Sequence, residues 1–466
     1  MSLTTHTAVN ELATVDVSFE PLAARLTGSV HTPDDPRYDE LVSPWNLAVE
    51  VRPAAVVDAR TAEDVAEAVR FAGAHGLTAG VQATGHGAIP GISGHLLIST
   101  KGLDEVTVHP EGWVRVGSGV KWRRVVEAAA PYGLAGINGS TTDVSVVGYT
   151  TGGGVGPMAR TYGINADRVR AIEVVTGDGV FRRVTPTEYP DLFFALRGGK
   201  GTAGIVTALE FDLVHMPTFY GGAIYFDGVD AARVIDRWRT WSDALPEQGT
   251  TSFVLFQLPP LPEIPPPLAG RMTLGVRFLW TGEPEEGARL LGQIRAVAPV
   301  ILDDAALKPY TEIDSVHADP VDPMPVIDPA ILLNDFPEEA AEMLLAVAGY
   351  GSGSPQVMVE LRALGGAYAR EGEHPSAFDH RDAKFSLLVV GMAPDPRSAP
   401  HAELVFAAMS DWDTGGVWPN FGQAFDAVSA RRAYKEETLQ RFAEITRTYD
   451  PDGVLNIGRY TRELVR

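Results

Sequence analysis

The hydrophobic pattern changes texture twice along the chain. From Arg52 onward, short apolar runs alternate with amphipathic stretches of helical period. AAVVD (54–58), LTAGV (77–81), LLIST (96–100), VTVH (106–109) and WVRVG (113–117) read as short strands. Between the first two, Thr61 is placed to cap a helix, with Asp64 at the capping-box position and Val65, Val69 and Ala72 on one face. A second helix is predicted over about 121–131, stopping at Gly133. Residues 171–184 form two alternating runs around Gly177-Asp178-Gly179, the signature of a hairpin, and IVTALEFDL (205–213) is a further strand.

Beyond about residue 215 the runs lengthen. Residues 251–258 and 271–280 predict long strands separated by the proline-rich loop PPLPEIPPP. A helix follows at about 284–297, strands at 357–364 and 385–390, and amphipathic helices around 337–348 and 400–411. A polar helix at about 431–447 leads into YDPDGVLN. The expected fold class is α+β: a first domain of many short strands and glycine-rich loops, then an antiparallel sheet covered by helices on one face. No internal repeat is present.

Composition narrows the possibilities. A chain of 466 residues exceeds one ordinary core and implies two domains. With 45% hydrophobic and 21% charged residues it is a folded, soluble type. A formal charge of −22 argues against nucleic-acid or anionic-membrane partners. There is no cysteine, which excludes disulfides, thiolate metal sites, iron–sulfur clusters and cysteine nucleophiles; no metal is expected. MSLTTHTAVNEL lacks the charged and apolar regions of a signal peptide, and no run approaches 18 uncharged apolar residues. A cytoplasmic protein is the expectation.

Three glycine-rich segments carry the chemistry: TGHG (84–87), TTGGGVG (150–156) and RGGKGTAG (197–204). The last holds a literal G-x-G-x-x-G at Gly199, Gly201 and Gly204. The dinucleotide fingerprint requires a strand before it and a helix after; here DLFFALR is helix-like and the following segment alternates as a strand. A nicotinamide-binding Rossmann reading therefore fails. Glycine clusters also let backbone N–H groups approach a pyrophosphate, and three within about 120 residues favour a dinucleotide loop site over separate tight turns. His86, flanked by Gly85 and Gly87, is either a structural loop histidine or an unhindered functional ring.

These segments, taken in order, resemble a known family. RPAAVVD (52–58), VQATGHG (81–87), TTGGGVGPMARTYGINAD (150–167), PDLFFALRGGKGTAGIVT (190–207) and YDPDGVLN (449–456) are similar to the FAD-linked oxidases with a PCMH-type flavin domain, in particular the berberine-bridge-enzyme-like branch of the vanillyl-alcohol-oxidase superfamily. The resemblance implies an FAD-binding domain of two subdomains at 1–215 (core about 46–215), a substrate domain at 216–415, and a C-terminal segment, 416–466, returning to the first.

It also implies roles for particular residues. His86 matches the histidine linked to the flavin. Gln82, Ala83, Thr84, Gly85 and Gly87 would cradle the pyrophosphate, with backbone from Gly152, Gly153, Gly154, Gly204, Ile205 and Val206 lining the cofactor and Gly148, Thr142 and Asn456 also binding it. Thr141 matches a cysteine that gives many relatives a second link, so a single histidyl link is expected. The family's R-G-G-G-H is here Q-A-T-G-H, and positions supplying a carboxylate or tyrosinate in plant relatives are Ser386 and Phe421.

The catalytic base is therefore open. Glu360 shares a strand face with Arg362 by period-two alternation, and that face either looks at the flavin or at solvent. Tyr149 and Tyr434 are further candidates, each equally readable as a core phenol. The functional expectation is hydride removal from a small or medium organic substrate (an alcohol, sugar, phenolic or secondary-metabolite intermediate), with dioxygen reoxidising the flavin, in a monomer or homodimer. A dehydrogenase using another acceptor and a non-catalytic flavin-fold binding protein are the alternatives.

Overall fold

The computed structural model describes residues 17–89, 91, 93–262, 264–421 and 427–456. The N-terminal stretch read for a signal peptide lies outside these residues. Three main sheets organise the described residues, beside a small two-stranded one of Leu134–Ala135 and Val214–His215, and the strands predicted above supply most of them.

The first sheet has four strands in the order Ser29–His31, Ala55–Asp58, Leu96–Ser99, Ala79–Gln82, the last three parallel. Ala55–Asp58 and Leu96–Ser99 are buried throughout, as parallel strands covered on both faces must be. Helix Ala62–Ala74 packs on this sheet and starts at the Thr61–Asp64 capping box, with Val65, Val69 and Ala72 in the core. The C-terminal YDPDGVLN motif closes the edge: Ala79 N–H donates to the Val454 carbonyl, and Asn456 N–H donates to that of Ala79. Buried Asp450 accepts the amides of Val454 and Leu455, which fixes this turn.

The second sheet is antiparallel, with five strands in the order Val106–His109, Trp113–Gly117, Ile205–Asp212, Val169–Val175, Phe181–Val184. Helices Trp122–Ala129, Val146–Thr151, Pro190–Ala195 and Glu436–Tyr449 share its core. Gly133, the expected helix stop, has a left-handed φ of 66°.

The third sheet is the largest, with nine strands. Its central strands, Thr218–Asp227, Met272–Trp280, Gly249–Gln257, Met358–Ala363 and Phe385–Met392, are antiparallel neighbours in that order. Helices Ala231–Asp243, Pro284–Arg295, Glu338–Ala348 and Ser398–Ala408 pack on one face through Trp238, Trp241, Leu291 and Leu344. The opposite face turns toward the loops of the first half: Leu332 and Leu364 share a cluster with Val155, Ala159 and Trp418. Strand Thr218–Asp227 and helix Ala231–Asp243 escaped the sequence reading. Two adjacent glycines (Gly221, Gly222) blur the strand's alternation, and arginines and tryptophans interleave along the helix. Among the described residues, no helix is long and apolar enough to cross a membrane.

Candidate active site

Strand Ala79–Gln82 delivers the first glycine loop. Gln82 is buried; its side-chain N–H donates to the Val42 carbonyl at 3.1 Å, and its Oε1 has no partner. Gly85 has φ +76°, and a Cβ there would lie 2.5 Å from the Pro44 Cα, so only glycine fits. The next residue, His86, stacks on the Trp45 indole with ring centroids 4.7 Å apart, and its Nδ1 is 2.8 Å from the Thr84 hydroxyl. Its Nε2 is shielded from solvent without a partner. Burial pushes its pKa down to about 4, against the pull of the Asp143 carboxylate, so the ring is neutral and keeps a nucleophilic lone pair. The Thr141 hydroxyl accepts the Asp143 amide.

The second loop follows the short helix Val146–Thr151. Gly153 and Gly154 have φ of +103° and +79° and reverse the chain; a Cβ on Gly153 would meet the Phe378 ring at 2.2 Å. The third loop docks on the second, since the Thr151 carbonyl accepts the amides of both Gly198 and Lys200. Lys200 is itself left-handed, at φ +53°. Its ammonium donates to the Gly148 carbonyl at 3.2 Å and to Asn420 Oδ1 at 2.6 Å, and lies against Gly87 of the first loop. All three glycine segments thus meet at one lysine. Among the described residues no carboxylate pairs with it, and the protein packed around it lowers its pKa to about 8. Gly87 and Gly148 are exposed on either side.

These features fit a bound FAD. Glycine backbones form a cradle, a cation lacks a counter-charge among the described residues, and the orphaned Gln82 Oε1, His86 Nε2 and Tyr149 hydroxyl supply unmet hydrogen-bonding groups. The literal G-x-G-x-x-G is preceded by helix Pro190–Ala195 and followed by strand Ile205–Asp212, so it is no Rossmann turn.

Other residues nominated from sequence are engaged within the protein. The Thr142 amide and hydroxyl both donate to Asp314, bracing the 310–316 segment. The side chains of Ile205 and Val206 lie in two apolar cores, and Gly204 is pressed against Val174, leaving only backbone for a ligand. Asn456 donates to the Gly91 carbonyl. Tyr434 is buried, and its hydroxyl donates to the Gly198 carbonyl at 3.0 Å; it props the third loop and is not a base. The Tyr149 hydroxyl is buried with its pKa raised by burial, which keeps it protonated. Ala83 is half-buried between Gln82 and Thr84.

Glu360 also needs correction as a base. Strand alternation put it on the face with Arg362, as expected, but that face is neither solvent nor open cleft. Glu360 is fully buried and accepts from Ser252 (2.7 Å), Arg277 (2.7 Å) and Arg362 (2.8 Å). Burial alone would raise its pKa; the Arg362 and Arg277 charges outweigh that and hold it below the usual carboxylate range. A carboxylate so saturated is a charge-balancing group. Arg277, Ser252, Arg362 and Ser386 stand in register across four neighbouring strands. Three of them, Ser252, Arg277 and Arg362, line a narrow cavity closed by Val155–Pro157, His317, Tyr368 and Trp418, with the Arg362 guanidinium over the Phe421 ring. Sequence reading missed Lys200, Asn420, Arg277 and His317.

Comparison with known proteins decides the class. Residues 53–185 match the FAD binding domain family FAD_binding_4. The FAD-linked oxidoreductase sorD of Penicillium rubens is 25% identical, covering 92% of this chain and 94% of its own length. The chain is an FAD-linked oxidoreductase. (R)-6-hydroxynicotine oxidase of Paenarthrobacter nicotinovorans is also 25% identical over 92% of the chain and 95% of its own. Solved structures share the fold of this chain. Berberine-bridge-enzyme-like 1 of Physcomitrella patens superposes with a TM-score of 0.81 at 17% identity, covering 96% of this chain and 99% of that one. Glucooligosaccharide oxidase of Acremonium strictum, whose FAD is 6-S-cysteinyl and 8α-N1-histidyl, gives a TM-score of 0.80 at 20% identity over 94% and 97%.

Proposed function

We propose that this FAD-linked oxidoreductase is an oxidase carrying a flavin linked once, through His86, and acting on a hydroxyl-bearing organic substrate held against the polar face of the large sheet. The observation that carries the reading is Lys200: a cation with no carboxylate partner among the described residues, tying together the three glycine loops that a dinucleotide requires. A bound FAD supplies a two-electron, hydride-accepting centre.

The chain's own residues do the rest. Lys200 balances the anionic charge of the cofactor, and the exposed backbone of Gly87 and Gly148 allows close approach. Neutral His86, with one ring nitrogen free of a partner, is the attachment residue. Thr141 stands where a second link would form in relatives and cannot form a thioether, so the link is single. The wall of Val155–Pro157, Tyr368 and Trp418 keeps water from the cavity, and the array Arg277–Glu360–Arg362 gives it fixed polarity. Dioxygen is the proposed electron acceptor.

Acid precipitation of the purified protein tests the cofactor reading. The yellow colour should remain with the polypeptide; colour wholly in the supernatant overturns the covalent link, and a colourless protein the cofactor assignment itself.

A further inference from the structure

Residues that line the cavity between the second glycine loop and the large sheet carry hydrogen-bonding groups that the protein leaves unmet, among them one on His317 and one on Arg277. His317 stands at the end of the 3₁₀ segment Tyr310–Val316. That segment is tied to the first half of the chain from both ends: the Tyr310 hydroxyl donates to the Gly136 carbonyl, and Asp314 accepts from Thr142 and Arg123. The His317 carbonyl accepts from Arg277 Nη2 at 2.8 Å, and the next residue, Ala318, turns back at φ +52°. The imidazole is therefore held in place from three directions. Its Nε2 faces the Glu360 carboxylate at 3.7 Å, while Nδ1 is buried with no partner. A second unmet group is Arg277 Nε, on a side chain that is 2% exposed; the Thr250 hydroxyl, on the same lining, is a third.

His317 Nδ1 and Arg277 Nε have opposite polarity. A carboxylate facing Nε2 favours the tautomer with the proton there, which leaves Nδ1 as an acceptor. Arg277 Nε carries a hydrogen and can only donate. Each orphan costs free energy in the ligand-free site. One acceptor and one donor in a cavity walled by Val155, Gly156 and Trp418 suit a neutral hydroxyl, which gives one hydrogen bond and takes another.

We infer that His317 and Arg277 form the specificity pair of this enzyme, the substrate hydroxyl donating to His317 Nδ1 and accepting from Arg277 Nε. The inference rests on the proposed placement of the substrate in this cavity. The groups facing the ring are Arg277, Arg362, Glu360 and Asp319; burial and the two guanidinium charges keep it neutral, lowering its pKa to about 3. His317 is thus an acceptor throughout the working pH range. It is too weakly basic to be the proton sink and acts as a substrate-binding residue. Amine substrates, charged at neutral pH, would meet the two arginines with the wrong sign.

The test uses the holoenzyme. Selective ¹⁵N-histidine labelling, with the His317 signals assigned by their loss in His317→Asn, should show a neutral ring protonated on Nε2 between pH 5 and 9. An imidazolium, or a proton on Nδ1, overturns the pair. Anaerobic flavin bleaching is then followed with benzyl alcohol, cellobiose, glycerol and benzylamine. A hydroxyl compound should bleach fastest; reduction by benzylamine alone, or by none of the four, overturns it. With the fastest alcohol, His317→Ala should lower kcat/KM by about 10–100-fold, mostly through KM, and His317→Gln, which keeps an acceptor, should recover part of it. Flavin content should not change in either. An equal loss in both variants, or an unchanged kcat/KM, refutes the assignment. A protein without flavin would instead refute the cofactor reading on which this one stands.

Discussion

Lys200 donates to the side-chain oxygen of Asn420 at 2.6 Å, joining residues 220 positions apart in sequence. Neither Asn420 nor the Gly148 carbonyl brings a negative charge, so among the described residues the lysine is left without a counter-charge. Replacing it should weaken the binding of an anion there. In a His86→Ala background, where FAD is held without a covalent bond, Lys200→Met should reduce FAD affinity by about 10–100-fold, the range for a charge-assisted hydrogen bond. Fluorescence titration measures this directly.

The same residue predicts a pH dependence. Burial lowers the Lys200 pKa from its ordinary value of 10.5 to about 8. The cation is present below that pH and is lost above it, so FAD affinity in the His86→Ala background should decline as pH rises from 7 to 10. The decline should be shallower in Lys200→Met. A parallel decline in both would show that another group titrates.

Glu360→Gln should be costly to the fold. It leaves Arg277 and Arg362 in a buried site without their common carboxylate, a loss of about 3–5 kcal/mol. Because the folded-state pKa of Glu360 is depressed, its contribution to stability is present above about pH 4.5 and lost as pH falls below. The gap in unfolding free energy between parent and variant should therefore shrink from pH 7 toward pH 3 in urea titrations. A rate defect with undiminished stability would restore Glu360 as a base.

The strand face of Glu360 shows how far the sequence could be read. Alternation correctly paired Glu360 with Arg362, and periodicity located the capped helix at Ala62–Ala74, the hairpin around Gly177-Asp178-Gly179 and the long antiparallel strands. What alternation cannot supply is the neighbour across the sheet. Ser252 and Arg277 stand beside Arg362 only because three strands far apart in sequence are in register. Arg277, inside the apolar run MTLGVRFLW (272–280), was the available signal, since an unpaired charge inside such a strand demands a partner. Lys200 was visible within the third glycine segment, but its isolation from carboxylates is a tertiary fact. His317, in a loop of aspartates and prolines, carried no pattern at all.

Gly153 gives a steric prediction. At φ +103°, with a Cβ position 2.2 Å from the Phe378 ring, Gly153→Ala should lower the unfolding free energy by about 1–3 kcal/mol and reduce flavin content. Gly112→Ala, also at positive φ but with no atom within 4 Å of its Cβ position, should lower stability less and leave flavin content intact. Thermal melts and the ratio of visible to 280 nm absorbance separate the two.

The most direct test of the account is mass spectrometry of proteolytic peptides from the purified yellow protein. A single flavinylated peptide is predicted, with the modification on His86, and His86→Ala should abolish it while non-covalent flavin can still bind. Unmodified His86 in protein that retains its flavin, or modification at any second position, would contradict it.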